Sequence, residues 1–134
     1  MKGWKGVERR KFLRLESPLA AWFNLFHVLG RREASRRLGG MVTNVSPEGV
    51  CLETNVVLAD GSHVFSEAMA DEKRLKLEIT LPGESEGITA VGKVVWYDLS
   101  SSDSPYRFRA GIYLTEMDDN TKETWARFLT GLRK

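Results

Sequence analysis

At 134 residues the chain is of single-domain size, long enough to bury a modest core. No apolar run reaches the roughly 18 residues that a bilayer span needs, and the basic residues 1–6 lead into no apolar segment of a signal peptide. The formal net charge of +2 hides an asymmetry: residues 1–40 hold ten Lys or Arg against three acids, and residues 41–134 hold ten against fifteen. A basic front on an acidic body points either to an anionic partner or to a solvated tail that aids solubility.

Residues 1–14 read as a flexible arm, in which glycine, charge and scattered aromatics show no sustained period. The arm carries Glu8-Arg9-Arg10-Lys11-Phe12-Leu13-Arg14, an Arg-x-x-x-Arg pattern. Residues 15–134 are expected to form one domain. After Pro18, residues 19–28 are aromatic-rich and of strand length, with a buried helix as the alternative. Residues 30–40 read as a charged loop with room for one helical turn. Residues 41–45 and 50–53 are two short strand-like runs, joined by Asn44-Val45-Ser46-Pro47-Glu48-Gly49. The single cysteine, Cys51, cannot form an internal disulfide, and its neighbours Val50 and Leu52 suggest a buried strand position. A reducing, cytoplasmic compartment is expected.

Ala59-Asp60-Gly61-Ser62 is a turn signal, and residues 67–74 read as a loop or short helix. Apolar and polar residues alternate with period two over residues 75–81, which Pro82-Gly83 ends. Residues 88–97 form another strand run in which Gly92 marks a bulge or bend. Residues 100–105 are a serine-rich loop, and residues 106–114 alternate again. The period then changes: Trp125, Phe128, Leu129 and Leu132 fall on one helical face, with Asp118, Asp119 or Asn120 as its cap. Short strands with regular turns and one terminal helix predict a small antiparallel barrel, the helix burying its aromatic face against an opening or edge.

Catalysis is not expected. His27 and His63 read as structural or exposed, Ser46 has no candidate base nearby, and one cysteine with two separated histidines offers no zinc spacing. Of the four tryptophans, Trp4 lies in the arm and the others are core candidates. The two motifs suit a purine nucleotide. An arginine fork pairs with guanine O6 and N7, and its flat face stacks on a purine while its charge meets phosphate. Asn44 offers both a donor and an acceptor, Ser46 a hydroxyl, and Gly49 a positive φ or a close approach. The second segment reads equally as an Asx-type turn ending in glycine. A further Arg-x-x-x-Arg, Arg32 to Arg36, reads as a surface charge cluster.

In their order and spacing, with a strand between them, Arg10 to Arg14 and Asn44-x-Ser46-x-x-Gly49 resemble the two motifs of the PilZ domain, a bacterial receptor module for cyclic di-GMP. Gly92-Lys93-Val94-Val95-Trp96 and residues 106–112 are similar to later strands of that family, and the final helix matches. The resemblance implies a mainly β fold: a six-stranded antiparallel β-barrel with a C-terminal α-helix and a flexible basic arm. It implies cyclic di-GMP as ligand, with no cofactor. Arg10 and Arg14 would take guanine edges and phosphates, and Asn44, Ser46 and Gly49 would form the docking turn. Arg9, before the first motif arginine, implies an intercalated ligand pair, two molecules per chain. The arm would order on binding and pass the signal to an effector protein in motility, exopolysaccharide or biofilm control. Glu48 stands where many members carry a glycine. Two other readings are a basic barrel for single-stranded nucleic acid, which the acidic body opposes, and a ligand-independent protein adaptor, which usually lacks the arginine motif.

Overall fold

The computed structural model describes residues 12–83 and 87–132. In chain order these form β1 (Leu13–His27), β2 (Arg32–Glu33), β3 (Leu38–Val45), β4 (Gly49–Thr54), β5 (Leu58–Ala59) and β6 (Ser62–His63). There follow α1 (Val64–Glu67), β7 (Lys73–Ile79), β8 (Ile88–Leu99), β9 (Phe108–Glu116) and α2 (Asp119–Leu132). The main sheet runs β2-β1-β3-β4-β9-β8-β7, every pairing antiparallel. β7 also pairs with β1, so among the described residues six long strands close into a barrel with β2 as a short appendage. Closure removes the open sheet edges that would otherwise invite aggregation.

Alternation decides which side chains face inward. Leu19, Ala21, Phe23 and Leu25 of β1 are buried, as are Val50 and Leu52 of β4. Leu75, Leu77 and Ile79 of β7, Val94 of β8, and Ala110 and Ile112 of β9 complete the same core. Phe65 of α1 stacks on Phe23 with ring centroids 5.9 Å apart. Burying a side chain of this size contributes about 1.5–3 kcal/mol. α2 packs against β8 and adds Trp125 and Leu129 to the core. Asp118 caps it, its Oδ1 accepting from the Thr121 amide at 2.8 Å.

Several expectations are corrected in detail. The regular strand begins at Leu13, so Arg14 lies on the barrel, while Arg9 and Arg10 lie outside the described residues. Residues 30–40 hold no helical turn: Gly30 and Arg31, both at positive φ, turn the chain into β2. That basic segment is tied to acids of the barrel. Arg31 forms a two-pronged pair with Glu116 at 3.2 and 2.6 Å, and Arg37 pairs with Glu78 at 2.5 Å. Trp22 is not core; it is half exposed on β1, with the Arg37 guanidinium 5.3 Å from its ring. The bulge expected at Gly92 is present as a register shift between Val91 and Gly92.

Candidate functional site

The turn between β3 and β4 is built by Ser46. Its Oγ accepts from the Gly49 amide at 3.1 Å and donates to the Gly49 carbonyl at 3.3 Å, while the Ser46 amide donates to that carbonyl at 2.9 Å. Ser46 is buried, so its hydroxyl is committed to the turn. Gly49 does not use a positive φ. Its reason is contact: a Cβ there would collide with the Ile112 carbonyl oxygen of β9, its neighbouring strand. The Glu48 carbonyl accepts from the Leu114 amide at 2.8 Å, which fastens the turn to β9 as well.

Beside this turn a groove of about 630 Å³ runs over the outer face of the barrel. Arg14 of β1 and Asn44 of β3 both line it, and they are register partners. Between Arg14 and Leu19 the pairing slips: residues 15–18 of β1 stand opposite Thr43 alone. This bulge contains Pro18, which donates no ladder hydrogen bond and itself lines the groove. Arg14 is exposed and Asn44 half-buried. Ser46 and Gly49 shape the adjoining turn without lining the groove.

The rest of the wall comes from residues that alternation alone does not single out. Trp96 of β8 lies over Gly111 of β9, where any Cβ would strike the indole. The Arg109 guanidinium sits 5.6 Å from the Trp96 ring, within cation–π reach. Cys51 and Glu53 project outward from β4, two residues apart on one face. Burial pushes the Cys51 thiol up to about 11, against a smaller opposing pull from the Thr43 hydroxyl. Cys51 is therefore part of the groove rather than of the core. Glu53 is buried and accepts at Oε1 from Ser104 at 2.5 Å and Ser100 at 3.3 Å. These bonds, with the Arg107 amide donating to Asn55 Oδ1 at 2.9 Å, hold residues 100–107 as the far rim. Tyr106 and Pro105 line the groove from that rim.

The arrangement presents two arginines, an amide and a flat indole on one surface. Those groups are chemically suited to an anion carrying planar rings. The sequence matches the PilZ domain over residues 8–131. The chain belongs to the PilZ domain family.

A search of curated proteins found no match. Among solved structures this PilZ domain is similar to the Bacillus subtilis inhibitor of motility MotI/DgrA. Identity is 17%, the TM-score is 0.59, and the match covers 94% of this chain and 52% of that one. The PilZ chain thus spans about half the length of that relative. It is also similar to the PilZ domain of CeSA from a cellulose-synthesizing bacterium, at 11% identity and a TM-score of 0.53, covering 91% of this chain and 99% of that one. At these identities the likeness is one of fold. PilZ domains are typically cyclic di-GMP receptors and are generally non-catalytic. No helix among the described residues is long and apolar enough to cross a membrane.

Proposed function

We propose that this PilZ domain binds cyclic di-GMP in the groove over β1, β3, β4, β8 and β9. The observation that carries the reading is the convergence of Arg14 and Asn44. One comes from each motif, and they stand side by side on one wall opposite Trp96 and Arg109. Arg14 and Arg109 supply cationic forks for phosphate or guanine acceptors, Asn44 a base or phosphate contact, and Trp96 a stacking face. Arg9 and Arg10 would close over the ligand from the arm, and Arg9 supports a stoichiometry of two ligands per chain. Ser46 and Gly49 would act by holding the turn on which Asn44 sits. A long polynucleotide is disfavoured because Glu53 and Asp103 line the same groove.

The signal would then pass to a protein partner through ordering of the arm before β1, in a motility, exopolysaccharide or biofilm setting in the cytoplasm. Isothermal calorimetry with cyclic di-GMP tests the reading, with GMP and cyclic GMP as controls. Saturable heat is expected with the dinucleotide, reaching two equivalents, and weak or no heat with the controls. No heat and no rise in melting temperature with cyclic di-GMP overturns it; saturation at one equivalent overturns the stoichiometry alone. Hydrogen exchange over residues 5–16 should slow on binding, and identical exchange with and without ligand would reject the arm as the output.

A further inference from the structure

We propose that Glu53 selects guanine, its carboxylate taking the ring N1–H and 2-amino N–H of a base lodged in the groove; this deepens the cyclic di-GMP reading and rests on it. Glu53 is only 7% exposed, and it lines a groove otherwise suited to an anion. A buried carboxylate there is costly unless donors meet it. The protein supplies two of them, and both serine hydroxyls go to the same oxygen, Oε1. Among the described residues Oε2 accepts no hydrogen bond. The neighbouring cation does not fill the gap. Arg109 is the register partner of Glu53 on β9, but its guanidinium lies over Trp96 and no ion pair joins the two. Glu53 thus keeps an open acceptor beside a flat indole and a guanidinium.

An ionised carboxylate only accepts hydrogen bonds. Guanine offers two adjacent donors on its Watson–Crick edge, N1–H and the 2-amino group. Adenine places a lone pair at N1, which faces a carboxylate unfavourably. Hypoxanthine keeps N1–H but lacks the amino group. A site built to pair two donors therefore rejects analogues that lack one or both. This assigns Glu53 a task separate from its latch on Ser104: Oε1 stays with the two serines, and both guanine donors would converge on the two lone pairs of Oε2.

The test compares cyclic di-GMP, cyclic di-IMP and cyclic di-AMP by calorimetry on the full chain and on two variants, each first checked for a cooperative melt. Wild type is expected to favour cyclic di-GMP over cyclic di-IMP by about 10- to 100-fold. Glu53→Gln, which exchanges an acceptor for a donor, should bring the two within about threefold. Ser104→Ala, which loosens the rim but keeps the carboxylate, should weaken both ligands while preserving their ratio. If Glu53→Gln does not fold, the ratio is read on Glu53→Asp, whose carboxylate is drawn back by one methylene, and should fall there. Equal affinity of wild type for all three ligands, or an unchanged ratio in the Glu53 variant, overturns the inference. So does a collapse in Ser104→Ala matching that in Glu53→Gln, because the carboxylate would then act only through the rim. Failure of wild type to bind cyclic di-GMP at all instead rejects the functional reading beneath it.

Discussion

Arg14 on β1 and Asn44 on β3 are directly paired in register, although each belongs to a different motif. The pairing turns two weak local patterns into one surface, because a guanidinium and an amide now share the wall of a single groove. Arg14 is solvent-exposed, so its removal should cost binding and little stability. Arg14→Ala is expected to weaken cyclic di-GMP by about 10- to 100-fold, the worth of a charge-assisted hydrogen bond. Asn44→Ala should show a smaller loss of the same sign. Calorimetry reads the affinities, and a melting curve unchanged from wild type shows that the fold is intact. Wild-type affinity in both variants would remove these residues from the site.

Ser46 and Gly49 should behave in the opposite way, since both build the turn. Ser46→Ala leaves the Gly49 amide without its hydroxyl partner inside a buried corner, a cost of about 1–3 kcal/mol. Gly49→Ala forces a methyl group onto the Ile112 carbonyl, an overpacking cost of about 1–3 kcal/mol. Each should lower the melting temperature of the ligand-free protein by several degrees, at about 4 °C per kcal/mol for a chain of this size. A Ser46 variant that loses affinity at unchanged melting temperature would show the hydroxyl acting on ligand instead.

Cys51 reports on the groove. With its thiol pushed up to about 11 by burial, the thiolate is scarce at neutral pH. Alkylation of the native protein should be slow at pH 8 and should keep rising beyond pH 10, where an unperturbed cysteine has already levelled off near its ordinary value of about 8.5. Because Cys51 lines the groove, saturating cyclic di-GMP should slow the reaction further. Labelling followed by mass spectrometry measures both effects. A rate that levels off below pH 9, or one that ligand leaves unaltered, would contradict this placement.

The cap of α2 predicts an acid dependence. The amide of Thr121 and, to a smaller degree, its hydroxyl hold the Asp118 carboxyl below its ordinary value of 3.8. The charged form is therefore favoured in the folded chain. Its contribution is complete above the ordinary carboxylate value and is lost as pH falls through the lowered one. Asp118→Asn, which still offers a capping oxygen, should melt below wild type at neutral pH, and the gap should close in strong acid. Melting curves across pH 2–7 measure it. A gap that stays constant over that range would exclude the carboxylate charge as the cause.

Local periodicity was enough to reveal the strands β7 and β9, the bulge at Gly92, the helix with buried Trp125 and Leu129, and the corner where Asn44, Ser46 and Gly49 meet. Each of these depends on neighbours a few residues apart, and the periods of 2 and 3.6 register such neighbours in the chain itself. The two motifs also named the residues that converge as Arg14 and Asn44. The opposite wall was not legible. Trp96 rests on Gly111, Glu53 stands opposite Arg109 in strand register and reaches Ser104, and Cys51 turns outward rather than inward. The basic segment at 30–40 likewise reads as a free loop, yet two of its arginines, Arg31 and Arg37, are paired with Glu116 and Glu78. These relationships arise from the register between strands distant in the chain and from a bulge that shifts one side of β1 against β3. Alternation states that a residue faces out, but only barrel closure decides which other outward residues it meets.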